Sequence, residues 1–224
     1  MKRAVIIVAG GSGTRMNSPI PKQFLEVAGS PVLLHAMRRF LDYDPKILMV
    51  VVLPPDYRKE WEERIRREQI SAALVFAVGG ETRFQSVKNG LSHVGGSHLT
   101  AIHDAARPLV SRETIGKCFD AAERHGGAIP VTGIGDSLRL IRDKGSEPID
   151  RNRIKRVQTP QVFLTERILK AYDQAYQETF TDDAVVYETV FGAVELIEGN
   201  RENIKITYPE DLEYAERILS AGKA

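Results

Sequence analysis

Five short apolar runs, spaced along the chain with helical patterns between them, constrain this sequence more than any other feature. They are Ala4 to Val8, Ile47 to Leu53, Leu74 to Val78, Leu99 to Ile102 and Ala128 to Val131. Runs of this kind read as strands buried on both faces. Between them, Pro31 opens a helix in which Val32, Leu33, Ala36, Met37 and Phe40 share a face. Asp56 to Ile70 is a charged helix with a solvated face, Phe84 to Leu91 is a third, and Ser111 caps a fourth that runs through His125. Such alternation predicts an α/β fold, with a mostly parallel central sheet and helices on both faces. Ligands of these sheets sit beyond the carboxyl ends of the strands. A length of 224 residues suits one domain spanning 1–224.

The first strand runs into Ala9 to Phe24, AGGSGTRMNSPIPKQF. Gly10, Gly11 and Gly13 allow a ligand close to the backbone, and free N–H groups in such a turn form an anion site. Arg15 and Lys22 add two cations, while Pro19 and Pro21 keep the intervening loop out of a helix. The chemical reading is a loop wrapped around a triphosphate. A P-loop is excluded, because Gly13 is followed by Thr14 and Arg15. The dinucleotide fingerprint fails at Met16, where its third glycine belongs. An ordinary glycine-rich turn would account for the glycines alone, but not for the added Arg, Lys and prolines.

Two further turns fall at strand ends. Gly79, Gly80, Glu81, Thr82 and Arg83 follow the third strand. His103-Asp104-Ala105-Ala106-Arg107-Pro108 follows the fourth. Asp104 there can hold Mg²⁺, which prefers carboxylates together with phosphate oxygens. Equally, Asp104 and Arg107 can form a local ion pair that shapes the turn.

The strand–helix alternation then breaks. Ser137 to Ile141 alternates, Asp143-Lys144-Gly145 signals a turn, and Glu147 to Lys155 is extended and charged. This predicts a protruding β-hairpin arm over about 137–158. An isolated hairpin is marginal in water, so a second copy of the chain is the expected cover. Helical pattern returns at Thr165 to Tyr176, and Thr181-Asp182-Asp183 reads as an N-cap before Ala184 to Val190. Ala193 to Ile197 and Ile204 to Ile206 read as short strands, and Thr207 with Glu210 as a capping box for the last helix.

The charge balance, 31 basic against 30 acidic residues, offers no argument for nucleic-acid or membrane partners. The single cysteine, Cys118, excludes an internal disulfide and suits a reducing compartment, so a cytoplasmic location is expected. The apolar run after Lys2 and Arg3 is too short for a signal peptide or a membrane span. The five histidines show no metal spacing.

AGGSGTRM, PKQF, GGETRFQSV, HDAARP, DRNRIKRVQTPQ, TDDA, EGNRENIKIT and PEDL occur in this order over nearly the whole chain. In this combination the chain closely resembles the 2-C-methyl-D-erythritol 4-phosphate cytidylyltransferase family of the non-mevalonate isoprenoid pathway. The first motif alone indicates only the wider nucleotidyltransferase class. HDAARP, TPQ and EG…NIKIT together are far more specific. The resemblance implies a Rossmann-like sheet, a homodimer with exchanged arms, and the reaction of CTP with methylerythritol phosphate to give CDP-methylerythritol and pyrophosphate.

It also implies residue roles. Arg15 and Lys22 would contact the triphosphate, and Lys205 would approach the transferring phosphorus. The nucleotide loop comprises Ala9, Gly10, Gly11 and Gly13. Backbone of Ala9, Gly10, Gly80 and Glu81, with the Ser86 hydroxyl, would read cytosine and ribose. Asp104 would lie near Mg²⁺ and the sugar. Arg107, Ser137, Thr159, Thr181 and Asp182 would line the acceptor side. Arg151, on the arm, would hold the methylerythritol phosphate of the other subunit. Two positions depart from the family pattern: Ser137 stands where Thr is usual, which keeps the hydroxyl, and Glu81 stands where Asp is usual.

The nucleophile in this reaction is a phosphate monoester, largely dianionic at neutral pH. It needs no general base, only alignment and neutralisation of charge. A site of Arg, two Lys and Mg²⁺ suits that need. A cytidylyltransferase for ribitol 5-phosphate is the nearest alternative, disfavoured by HDAARP in place of a variant with Ser for the first Ala. A non-catalytic nucleotide-binding module is the alternative of another class, disfavoured by Arg15, Lys22, Asp104 and Lys205 occurring together.

Overall fold

The computed structural model describes residues 2–10, 20–68, 70 and 73–222. The parallel strands are β1 (Arg3–Val8), β4 (Leu48–Leu53), β5 (Leu74–Val78), β6 (Leu99–Asp104) and β7 (Gly127–Thr132). β2 (Glu26–Val27) and β3 (Ser30–Pro31) form a small separate hairpin. The strands β1, β4, β5 and β6 pair parallel, with β1 between β6 and β4. β11 (Gln161–Leu164) inserts antiparallel between β6 and β7, and β10 (Arg156–Val157) pairs antiparallel with β7 on its other side. A parallel edge strand, β12 (Glu195–Glu198), completes the eight-stranded sheet.

The apolar runs explain the layering. In β1, Val5 and Ile7 join one core cluster with Leu33, Met37 and Phe40 of α1 (Val32–Tyr43) and Ile115 and Phe119 of α4 (Arg112–His125). Ala4 and Ile6 face the opposite cluster, with Phe84, Val87 and Leu91 of α3 (Arg83–Leu91) and Ile168 of α5 (Thr165–Ala171). All four β1 residues are fully buried. Truncating Ile6 or Ile7 to alanine costs about 2–5 kcal/mol. Gly90 lets α3 lie close on the sheet, because a Cβ there would sit 2.7 Å from Ile6 Cγ2. On the other face, α2 (Arg58–Arg67) is shorter than Asp56 to Ile70, because a 3₁₀ turn, Pro55–Tyr57, precedes it. It buries only Trp61 and Ile65.

Two helix starts agree with the sequence reading. Ser111 Oγ accepts from Thr114 N, and Asp182 caps α6 (Asp183–Phe191) by accepting from Val185 N. The last helix, α7 (Pro209–Ser220), starts differently: Asp211 Oδ2, not Glu210, accepts from Thr207 N at 2.7 Å and Tyr208 N at 2.9 Å. α5 ends at Ala171 rather than running to Tyr176, and Gln174 binds back to the Ala171 carbonyl. Ile204 to Ile206 is not a strand. Ile206 N reaches Ala106 O at 2.8 Å, and its side chain joins Val27, Val32, Leu109 and Ala215 in a small third cluster against α7.

The arm is a hairpin, as the turn signal predicts. β8 (Leu138–Ile141) and β9 (Ser146–Ile149) pair antiparallel in a sheet of their own, with Gly145 at φ 82°. Ile141 is 75% exposed.

Candidate active site

Asp104 is the last residue of β6, at the carboxyl edge of the sheet. Three cations surround its carboxylate. Lys205 Nζ donates to Oδ2 at 2.9 Å, Arg107 Nε lies 3.7 Å from the same oxygen, and Arg83 Nε lies 3.4 Å from Oδ1. Burial opposes ionisation of Asp104, but Lys205, Arg83 and Arg107 outweigh it and hold the carboxyl well below the usual carboxylate range. The Asp104–Arg107 ion pair and the wider cluster are thus the same arrangement.

The HDAARP turn is built by its histidine. His103 is fully buried, and burial lowers its pKa to about 4. His103 Nε2 lies 3.0 Å from Arg107 O, which can only accept, so that nitrogen carries the proton. Nδ1 then accepts from Thr159 Oγ1 at 3.0 Å, and Thr159 Oγ1 accepts from Asp104 N at 3.1 Å. A neutral imidazole therefore joins both ends of the turn. Thr159, expected on the acceptor side, is 4% exposed and spends its hydroxyl in this chain.

Lys205 is delivered by a strap of amide side chains that sequence reasoning did not single out. Asn203 Nδ2 donates to Thr159 O at 2.8 Å, Arg107 Nη1 donates to Asn203 O at 2.8 Å, and Gln158 Nε2 donates to Asn200 O at 2.9 Å. Asn200 Nδ2 in turn donates to Leu109 O at 3.0 Å. The sequence signal was that Asn200 and Asn203 sit within EGNRENIKIT and Gln158 within DRNRIKRVQTPQ.

The glycine turns meet across the ends of β1 and β5. Ala9 N donates to Val52 O, and Gly79 N donates to Leu53 O. A Cβ on Gly10 would lie 3.0 Å from Ser86 Oγ and 3.7 Å from Gly79 Cα, so the two backbones are in contact and a side chain here would press on Ser86. Ser86, 2% exposed, accepts from Gly80 N at 3.0 Å and donates to Thr82 O at 3.0 Å. Its hydroxyl orders the turn. Glu81 is exposed beside it.

Gly11, Gly13 and Arg15 lie outside the described residues. Lys22 begins a 3₁₀ turn, Lys22–Phe24. Phe24 anchors that turn by stacking on Trp61 with ring centroids 4.2 Å apart. Gln23 Nε2 donates to Ala9 O at 2.6 Å, so Lys22 is held at the carboxyl end of β1.

The remaining acceptor-side residues are spread out. Asp182 is engaged as the α6 cap, and its Oδ2 accepts from Gln161 Nε2 at 3.0 Å. Thr181 is exposed next to it. Ser137 and Arg151 are exposed at the base of the arm, where Arg151 donates to the Gly135 carbonyl of its own chain. Sequence reasoning missed Arg83 and Asp183. Arg83 makes a fork to Asp183 at 2.8 and 2.7 Å, and Tyr172 Oη donates to Asp183 Oδ1 at 2.6 Å.

No group of three or more His, Cys, Asp or Glu side chains among the described residues could hold a metal ion. Among them, too, no helix is long and apolar enough to cross a membrane.

The comparisons with known proteins agree over the whole length. The family model for 2-C-methyl-D-erythritol 4-phosphate cytidylyltransferase (IspD) matches residues 3–221. The cytidylyltransferase of that name from Bacteroides thetaiotaomicron is 47% identical over 219 residues, covering 98% of this chain and 100% of the relative. Its namesake from Porphyromonas gingivalis is 48% identical over 221 residues, covering 98% and 99%. Among solved structures, 4-diphosphocytidyl-2C-methyl-D-erythritol synthase from Anaerococcus prevotii superposes with a TM-score of 0.83 at 26% identity, covering 98% of this chain and 96% of that one. The Thermus thermophilus cytidylyltransferase superposes with a TM-score of 0.78 at 31% identity, covering 98% and 100%. A doubly covered sheet with Asp104 and its cations at the strand ends, matched across its whole length by these relatives, makes this chain a member of the 2-C-methyl-D-erythritol 4-phosphate cytidylyltransferase family.

Proposed function

We propose that this chain transfers CMP from CTP to 2-C-methyl-D-erythritol 4-phosphate, giving CDP-methylerythritol and pyrophosphate. The observation that carries the reading is the convergence of Lys205, Arg107 and Arg83 on Asp104, beside the Gly10–Gly79 contact, in a member of this family. An oxygen of the acceptor phosphate attacks the α-phosphorus of CTP in line. The bond from that phosphorus to the bridging oxygen breaks, and pyrophosphate leaves. Both reactants are anions, so the main requirement is to neutralise their repulsion and align them. Lys22 and Lys205 take that role from two sides, with Arg15 on the triphosphate. The turn at Gly80 and Ser86, with Ala9, Gly10 and Glu81, reads the nucleotide. Arg107, Thr159, Thr181, Asp182 and Ser137 form the acceptor side, in part by shaping its backbone.

Mg²⁺ is the proposed cofactor. Asp104, held ionised at the strand end, would supply one carboxylate ligand, of the kind Mg²⁺ takes together with phosphate oxygens. When bound, the ion supplies further neutralisation of phosphate charge. We also propose a homodimer through the arm, in which Arg151 reaches the neighbour's acceptor phosphate. A cytoplasmic location is supported by Cys118, a buried free thiol.

Pyrophosphate release from CTP with methylerythritol phosphate, with ribitol 5-phosphate and with neither tests the reading. Turnover with the first only is expected, and its loss on chelation and return with Mg²⁺ tests the metal. Preference for ribitol 5-phosphate, or binding without turnover, would overturn it.

A further inference from the structure

Arg83 is the first residue of α3, directly after the Gly79–Gly80 turn and its Thr82 cap. Its two Nη atoms are committed to Asp183, which opens α6, at 2.8 and 2.7 Å. A guanidinium is a rigid plane, so fixing both Nη atoms also fixes Nε. That third nitrogen lies 3.4 Å from Asp104 Oδ1, whereas Lys205 binds the other oxygen, Oδ2, at 2.9 Å. Asp183 is fully buried, with Tyr172 Oη on it at 2.6 Å.

We propose that Arg83 is a positioning residue for cytidylyl transfer. It sets the rotation of the Asp104 carboxylate so that Oδ2 faces Lys205, and it ties the nucleotide turn to the start of α6. Stability alone does not call for this pair, because buried ion pairs are often replaced by apolar residues at no loss of stability. Apolar residues could not supply the oriented third donor. Asp183 has a matching role: it accepts the fork on both oxygens, and Tyr172 Oη donates to Oδ1 as well. Nucleotide turn, Asp104 and α6 then move as one body.

This inference rests on the cytidylyl transfer proposed above, so the wild-type chain is assayed alongside. Absence of turnover there counts against the activity itself, whereas differences between an active wild type and its variants bear on Arg83. Three variants of the full chain are compared: Arg83→Leu, Arg83→Leu with Asp183→Leu, and Arg83→Lys. The single leucine variant leaves Asp183 buried without its cation, and both Tm and kcat fall. The double leucine variant removes that unpaired charge. Its Tm returns close to the wild-type value, while kcat stays about 10²-fold low, the size expected of a slight misplacement of reacting groups. KM for CTP changes little in comparison. Arg83→Lys keeps a cation beside Asp183 but cannot hold both carboxylates, and it too loses kcat. Wild-type kcat in the folded double variant would overturn the proposal. If the double variant does not fold, wild-type kcat in Arg83→Lys overturns it and a reduced kcat at unchanged Tm supports it.

Discussion

Lys205 Nζ donates to Asp104 Oδ2 at 2.9 Å, which places a lysine from the stretch after β12 against the last residue of β6. Two arginines remain on Asp104 when Lys205 is removed, so the turn keeps its charge balance. Lys205→Ala should therefore fold, yet lose the cation that meets charge developing at the α-phosphorus. The same holds for Lys22→Ala, since Gln23 and Phe24 anchor its turn. Each variant should lower kcat by about 10²–10³ with a much smaller change in KM for CTP. Steady-state kinetics checks this. A pure KM effect would mean that the lysines bind only ground-state CTP.

Ser86 Oγ ties together the turn proposed to read the nucleotide, accepting from Gly80 N and donating to Thr82 O. Ser86→Ala leaves Gly80 N without this acceptor in a half-buried place, while Thr82 O keeps its bond from Ser86 N. Such a loss costs about 1–3 kcal/mol, roughly 5- to 150-fold in an equilibrium constant. KM for CTP should rise within that range, with a smaller effect on kcat. Wild-type enzyme should prefer CTP over UTP, ATP and GTP, because backbone groups in a tight turn reject a base that leaves them unpaired. Comparable turnover with ATP would contradict both expectations.

His103 predicts an acid limb of stability. Burial lowers its pKa to about 4, below the ordinary 6.5, because the folded turn uses a neutral imidazole. Between those values the unfolded chain binds more protons than the folded one, so stability falls as pH drops through this window. Asp104 acts in the same direction only at lower pH, since its folded-state value is depressed below the ordinary carboxylate value of 3.8. Near pH 5 the slope of stability against pH should thus contain close to one proton from His103. His103→Gln removes that titration. The stability difference between wild type and this variant, from urea melts at pH 7 and pH 5, should shrink on acidification. An unchanged difference would show that His103 is not held neutral.

How much of this was legible depended on what each residue packs against. Val5, Ile7, Val50 and Val52 announce their strands because both faces of the sheet are covered. The strands β10 and β11 were harder to read because they are short: β10 is Arg156–Val157, and β11 has only Val162, Phe163 and Leu164 as an apolar stretch. The residues before that stretch, Gln158, Thr159 and Gln161, are polar but buried, with side-chain bonds to Asn200, His103 and Asp182. Ile204 and Ile206 misled as a strand because their apolar pattern serves the α7 cluster rather than a ladder. In the site, the motifs HDAARP and EGNRENIKIT singled out Asp104 and Lys205, which the fold brings within 2.9 Å of each other. Arg83 and Asp183 lie 100 positions apart, and nothing local to either signals the fork.

The arm carries the last prediction. Strands β8 and β9 pair with each other in a sheet of their own, and Ile141 and Leu140 on them are exposed at 75% and 37% in a single chain, followed by Ile154 at 37% on the way back to the main sheet. Apolar residues on a hairpin that is marginal alone call for a partner surface. Arg151, at the arm's base, is an exposed guanidinium whose bond within its own chain is to a carbonyl, Gly135 O, rather than to a carboxylate. Its charge thus remains available for a phosphate. If the arm crosses to a twofold mate, Arg151 serves the neighbour's site. Arg151→Ala and Lys22→Ala are each inactive on this reading. Mixed under conditions of subunit exchange, they form heterodimers in which one site carries both lesions and the other carries neither, so activity partly returns. If Arg151 acts within its own chain, every site keeps one lesion and the mixture stays inactive. Sedimentation of differently tagged chains verifies that exchange took place, and an inactive mixture with exchange verified rules out the crossed arm.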